Sequence, residues 1–289
     1  MTIRTIRPIM LVTAFALAGC GDGGSGYGIG STPPPPVTPT PAPAPASFVL
    51  IPAPTTSQQF TVAGAARLTP TDPTPHFGSA DLLQVRYVAS SNSYQIELPN
   101  NQTWIDLTGK SEAEAVGGGV TVVRQFGGYQ YSSLFNWVSN SSLRGIESIG
   151  IPTAPGGVPI TGSATFAGHA LGMTSESNSI KLVSPLVLGS MTLNFDFAHG
   201  SLSGSIAPVL DPEWNDYELP TLNFRDTVYS TGSTTFSGKF DTNLSGVNSF
   251  SGLFTGPSAQ EVIGDFAFPY VSPVDAQTYQ AAGAFVGKK

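Results

Sequence analysis

Residues 249–268 read Ser-Phe250-Ser-Gly252-Leu-Phe254-Thr-Gly256-Pro-Ser-Ala-Gln-Glu261-Val-Ile-Gly264-Asp-Phe266-Ala-Phe268. Within each half, phenylalanine and glycine recur at every second position, which places them on one face of an extended strand. Working outward, the same device returns in Phe236-x-Gly238-x-Phe240 and Gly283-x-Phe285-x-Gly287. It returns again in Ile160, Gly162, Ala164, Phe166, Gly168, and in Met191, Leu193, Phe195, Phe197 set against Thr192, Asn194, Asp196. Eight strands are predicted: Ile160–Ala170, Gly189–Ala198, Ser201–Ala207, Leu219–Ser230, Ser233–Asp241, Ser249–Thr255, Glu261–Phe268 and Ala281–Lys288. A small closed barrel explains the pattern, because a phenyl ring fits inside only where a neighbour gives up its side chain. Closure also removes exposed edges. A two-sheet sandwich would carry the same alternation.

Upstream, from Phe48, the pattern is also β. Leu82–Val88 and Tyr94–Leu98 alternate and are joined by Ala-Ser-Ser-Asn-Ser, a hairpin signal, and Val120–Gln125 and Tyr129–Trp137 continue the theme. Ser111–Ala115 reads as a helical turn. The fold class is therefore all-β: a β-rich domain over residues 47–158, then an eight-stranded antiparallel up-and-down β-barrel over 159–289.

Residues 1–19 carry Arg4 and Arg7, then the apolar run Ile9–Ala18, and end Leu17-Ala18-Gly19 before Cys20. A basic start, a short hydrophobic middle and small residues before the cut describe a signal peptide, too short to be a permanent span. Leu-Ala-Gly-Cys matches a lipobox, so Cys20 is expected to become a lipid-bearing N-terminus; the alternative is an ordinary signal cut with Cys20 incidental. It is the one cysteine in 289 residues, which leaves no disulfide. Residues 20–46 are a Gly/Pro-rich linker, and a proline tract favours extended polyproline II at about 3.1 Å per residue, so Ser31–Ala46 spans roughly 50 Å. The formal charge of −7 supplies no electrostatic footprint for nucleic acid.

Up-and-down connection sends alternate loops to opposite ends. The short links (His199-Gly200, Thr231-Gly232, Gly256–Gln260) fall at one end, and Leu171–Leu188, Pro208–Glu218, Thr242–Asn248 and Pro269–Gln280 gather at the other. Long loops on a rigid scaffold are where binding residues collect, so this rim is the expected contact surface. Its aromatics, Trp214, Tyr217, Tyr270 and Tyr279, are the candidate contacts, with packing onto the barrel mouth as their alternative. Ser179–Leu188 could form an extra strand and spoil the parity.

Chemistry finds little foothold. There is no Gly-x-Ser-x-Gly elbow, His-Glu-x-x-His, phosphate loop or cysteine nucleophile. Asp211 and Glu213 imitate paired carboxylates but sit in a loop-like run where solvated charge is the simpler account. Of the three histidines, His76 lies in a proline-rich loop and His199 in a hairpin turn. His169 falls near the rim end of the first barrel strand, turned away from the phenylalanine face. It is the candidate haem ligand of a small-solute carrier reading, with an exposed polar-face histidine as the bland account. No metal site and no enzyme activity are expected, and a ligand-free surface coat is the third reading.

The stretch 250–266, closing with Gly283-Ala-Phe285-Val-Gly287-Lys288, resembles the barrel signature of transferrin-binding protein B and related Gram-negative surface lipoproteins, often labelled transferrin-binding-protein-like solute-binding proteins. Gly150-Ile-Pro152-Thr153, Pro159 and Gly162-Ser-Ala-Thr-Phe166-Ala-Gly168 resemble the family's lead-in to the barrel. The resemblance implies a small "handle" domain followed by the barrel. It implies lipid anchoring at the outer membrane and display at the cell surface through a translocon of the surface lipoprotein assembly modulator type. Relatives bind host iron-carrying or haem proteins, complement regulators, or haem, which makes iron acquisition the expected role. One handle–barrel pair, where transferrin-binding protein B has two lobes, leaves the ligand open.

Overall fold

The computed structural model describes residues 47–52, 54–69, 82–99, 101–176, 186–211 and 216–289. The signal segment, Cys20, the proline-rich linker, His76, Glu213 and Trp214 lie outside the described residues.

The handle is a sandwich of two antiparallel sheets. Its strands are Gln58–Gln59 (β1), Thr61–Arg67 (β2), Gln84–Val88 (β3), Ser93–Glu97 (β4), Ile105–Asp106 (β5), Thr108–Gly109 (β6), Glu114–Gly117 (β7), Val120–Arg124 (β8), Ser132–Ser139 (β9) and Arg144–Gly150 (β10). One sheet runs β1-β3-β4-β5 and the other β2-β10-β9-β8-β7-β6. The chain changes sheet at Phe60 and at Leu107, whose amides donate to Val85 and Tyr94 carbonyls. Alternation in β3 and β4 turns Val85, Tyr87, Tyr94 and Ile96 inward, onto Phe48, Phe60, Phe135 and Trp137. Tyr94 is held by its hydroxyl, which accepts from Ile51 N at 3.1 Å and donates to the Ile51 carbonyl. Ser111–Ala115 is not a helical turn: the Ser111 hydroxyl accepts from the amides of Ala113 and Glu114 and bends the chain into β7.

The barrel strands are Ser163–Thr174 (β11), Leu186–Asp196 (β12), Ser201–Asp211 (β13), the two-residue Tyr217–Glu218 (β14), Leu222–Val228 (β15), Thr235–Phe240 (β16), Ser249–Thr255 (β17), Glu261–Val271 (β18) and Thr278–Lys288 (β19). Leaving out β14, which is an appendage of β13, eight strands pair in sequence, and β19 returns to β11 from Ala167↔Lys288 to Thr174↔Ala281. That ladder closes the barrel and removes the sandwich alternative. Leu186–Leu188 opens β12, so no extra strand disturbs the parity among the described residues.

Phenyl rings fill the interior. Phe166, Phe195, Phe197, Phe236, Phe240, Phe250, Phe254, Phe266, Phe268 and Phe285 are all buried in one cluster. Across the β16–β17 ladder, Phe236 faces Gly252 and Gly238 faces Phe250. A methyl on Gly252 would lie 2.5 Å from Phe236 Cζ, and one on Gly238 2.6 Å from Phe250 Cζ, so each glycine is the seat of its partner's ring.

The handle lies against the outer wall of β11, β18 and β19. Ala65, Leu134 and Ile146 pack on Leu171, Met173, Ile263, Ala267, Ala282, Ala284 and Val286. β18, β19 and the second half of β11 are buried on both faces, and these strands extend past their expected ends, β11 to Thr174 and β18 to Val271. Strands β15–β17 are shorter, six or seven residues against eleven in β18 and β19. Glu261 fastens the two parts. Its carboxylate accepts from Gln130 N (2.7 Å), Tyr131 N (2.9 Å) and Ser132 Oγ (2.5 Å). The lead-in segment is pinned beside it, with Pro152 bridged to Thr255 and Thr153 Oγ1 donating to the Gly256 carbonyl at 2.7 Å.

Candidate functional site

Among the described residues, strand parity places 175–176, 216–221, 241–248 and 272–277 at one end of the barrel, and 197–200, 229–234 and 256–260 at the other. The long links therefore share a rim. The fourth is shorter than its sequence suggests because β18 and β19 continue pairing up to Val271 and Thr278.

Hydrogen bonds stiffen this rim. Glu176, itself buried, accepts from Tyr270 Oη (2.8 Å) and Ser272 Oγ (3.1 Å). Tyr270 is 4% exposed, so its ring serves the mouth of the barrel and offers no face to solvent; burial drives its phenol pKa upward. Tyr279 is half-buried, and its hydroxyl donates to Asp275 at 2.6 Å; that bond pushes the Tyr279 pKa up to about 12 and holds Asp275 low. Gln280 clasps the neighbouring link, accepting from Val247 N (3.0 Å) and donating to its carbonyl (2.9 Å). Tyr217 sits in β14, partly buried against the barrel cluster. Of the aromatics singled out from sequence, the rim brings together Tyr217, Tyr270 and Tyr279, with Tyr270 facing inward.

Among the described residues, the large hydrophobic side chains that this rim exposes are aliphatic. Leu244, Val247, Val271 and Val274 account for four of the seven exposed large hydrophobics among the described residues, and all four lie on or beside two neighbouring links. Sequence reasoning passed over them because it looked for Trp and Tyr; the signal was large aliphatics set in two polar runs, Leu244 and Val247 in Thr242–Asn248 and Val274 in Ser272–Gln277. Between these links and Leu219–Leu222 opens a cavity of about 290 Å³ at the barrel mouth, lined by Pro208, Leu219, Leu244, Phe268, Tyr270 and Val271 among others.

Other candidates separate from the rim. His169 points outward from β11, exposed, and stacks on Phe126 of the handle with ring centroids 4.1 Å apart and planes within 7°. Both line an outer-wall cavity of about 550 Å³ that also meets Leu188, Val209 and Glu218. His199 caps the β12–β13 turn, its Nδ1 2.8 Å from Asp196, which lowers the Asp196 pKa. Among the described residues no group of three or more His, Cys, Asp or Glu could hold a metal ion. Away from the handle the outer wall is polar (Thr192, Asn194, Ser203, Ser205, Asn223, Arg225, Lys239), the reverse of a membrane pore's apolar outer band.

Residues 158–289 match the family model described as the C-lobe and N-lobe beta barrels of Tf-binding protein B. No curated protein matches the chain. Among solved structures, a double mutant of transferrin binding protein B from Haemophilus parasuis Hp5 is 16% identical, with 78% of this chain and 44% of that chain covered and a TM-score of 0.48. The isotype 1 protein from serogroup B Neisseria meningitidis is 15% identical, covering 78% and 43%, at 0.46. The apo haemoglobin receptor HpuA from Kingella denitrificans is 15% identical, covering 80% and 86%, at 0.42. The chain thus spans less than half the length of these transferrin binding proteins. The matched family is one of binding proteins and not of enzymes. Residues 158–289 form a β-barrel domain of the transferrin-binding protein B type.

Proposed function

We propose that this chain is a surface binding protein that recognises a macromolecule through the long-loop rim of its barrel. One observation carries the reading: exposed aliphatics concentrate on the rim while the lumen is filled with phenylalanine, so contact is made at the mouth and not inside. The lipobox supports anchoring through Cys20 at the outer membrane, with residues 20–46 as the spacer to a handle (47–158) and barrel (159–289), and export by a surface-lipoprotein translocon follows from that address. The family's namesake binds transferrin, which makes iron-carrying host proteins the first partner class to test.

Capture from host serum or spent medium by the full chain, compared with Val247→Asp and Val274→Asp, tests this. Both sites are exposed, so folding stability should change by less than about 0.5 kcal/mol, while affinity should fall at least about tenfold, or 1.4 kcal/mol. Undiminished capture by both variants would refute the rim; no capture at all would leave the surface-coat reading. A second reading, a haem or small-solute carrier, is favoured by His169 beside the outer-wall cavity. Haemin titration with and without His169→Ala decides it by the Soret band.

A further inference from the structure

The mouth cavity specifies the partner's chemistry, on the reading that the rim is the contact surface. Its wall is largely apolar: Leu219, Pro220, Leu244, Phe268, Pro269 and Val271. At about 290 Å³ it falls just below the roughly 300–1,000 Å³ typical of small-molecule pockets. That is room for one large side chain and too little for a solute of haem's size. The charges on its lining links have one sign among the described residues. Asp241 lines the cavity, Asp216 and Glu218 lie on the link that supplies Leu219, and Asp275 lies on the β18–β19 link, all four exposed. Among the described residues those links contain no lysine or arginine. Lys239, below the rim on β16, is 3.9 Å from Asp226.

We propose that this cavity seats one large apolar side chain of a protein partner whose flanking residues are lysine or arginine. An anchor in a desolvated pocket supplies the affinity, as at protein–protein hot spots. The acidic surround steers and selects basic neighbours, more strongly at low salt.

The probes are acetyl-Lys-Phe-Lys-amide, acetyl-Glu-Phe-Glu-amide and acetyl-Lys-Ala-Lys-amide, added to the full chain with methyl resonances of Leu219, Leu244 and Val271 as the readout. Lys-Phe-Lys should shift these methyls saturably and bind at least about tenfold tighter than Glu-Phe-Glu. Raising salt should weaken it, and Lys-Ala-Lys should leave the methyls unmoved. Thr242→Trp, which fills the cavity, should abolish the shifts, and Asp241→Asn should narrow the preference between the two Phe peptides. Equal affinity for both Phe peptides, or shifts confined to other surfaces, would overturn the proposal. The two readings separate in the capture assay. If Val247→Asp and Val274→Asp lose the partner but Thr242→Trp keeps it, the rim stands and the anchor cavity falls. If none of the three loses it, the rim itself falls.

Discussion

Replacing Gly264 by alanine should be among the most damaging single-methyl changes in the barrel. The added Cβ would lie 2.1 Å from the Ser251 carbonyl oxygen, 2.2 Å from Phe285 Cζ and 2.5 Å from Phe285 Cε1. Gly264 is not at positive φ, so backbone strain does not confuse the result. Phe285 is its cross-strand partner and is fully buried, and Ser251 belongs to the neighbouring strand, pinned in the β17–β18 ladder. Overpacking typically costs about 1–3 kcal/mol. Expelling a buried phenyl ring adds up to about 1.5–3 kcal/mol, so roughly 3–5 kcal/mol is expected. Urea unfolding with linear extrapolation measures it, and Gly127→Ala, where nothing lies within 4 Å, is the control. The double variant with Phe285→Ala isolates the mechanism: removing the ring frees part of the space the methyl needs. The pair should therefore cost at least about 1 kcal/mol less than the sum of the single changes. Strict additivity, or a loss for Gly264→Ala under about 1 kcal/mol, would refute the seat-and-ring account of this barrel.

Two further perturbations probe the handle and its junction. Glu147 is fully buried; its Oε1 accepts from Leu83 N (3.0 Å) and Trp137 Nε1 (2.8 Å), and burial pushes its pKa up to about 8 from an ordinary 4.5. Between those values the folded chain holds a proton that the unfolded chain has lost. Glu147's contribution to stability is therefore full below about pH 4.5 and falls by on the order of 1.4 kcal/mol per unit as pH rises from there to about 8; Glu147→Gln should flatten that slope in urea titrations run from pH 5 to 8. At the junction, Glu261→Ala leaves two amides and a hydroxyl without their acceptor and should cost about 2–4 kcal/mol. Limited proteolysis should then cut near Gln130–Ser132, and unchanged resistance would show that the junction does not depend on this carboxylate.

What the sequence displayed follows from what periodicity can encode. Ser249–Thr255 appeared residue for residue because Phe250, Gly252 and Phe254 keep strict alternation inward and only Leu253 interrupts the polar outer face. The ends of β11, β18 and β19 did not, because their outer faces carry Leu171, Met173, Ala282 and Ala284 for the handle to cover. A strand buried on both sides loses the alternation that marks its limits. Ser111–Ala115 misled for a local reason: Ser-Glu-Ala-Glu-Ala has good helix formers, but the Ser111 hydroxyl captures two amides and pairing with β8 completes the strand. At the rim, burial is the missing quantity. Tyr270 and Tyr279 look alike in sequence, yet the first belongs to the inward register of β18 with Phe266 and Phe268, while the second reaches Asp275 at the surface.

The filled lumen is what the proposed rim reading rests on. Barrels of this strand number hold a small ligand only when their interior is left vacant. Here ten phenylalanines occupy it, stacked from Phe166 and Phe197 at the short-turn end to Phe268 at the mouth. The handle covers the outer wall of β18, β19 and the second half of β11, and much of the wall away from it presents hydroxyls, amides and charges to water. Two ends remain. The short-turn end offers Ile160 and Val228 beside tight links, whereas the opposite end carries four exposed aliphatics, an apolar cavity and a hydrogen-bonded brace through Glu176 and Gln280. Exposed apolar surface held rigidly is what an interface needs, since little ordering entropy is lost on binding. The same phenylalanine packing that stabilises the barrel thus supports the proposal that contact is made at the rim.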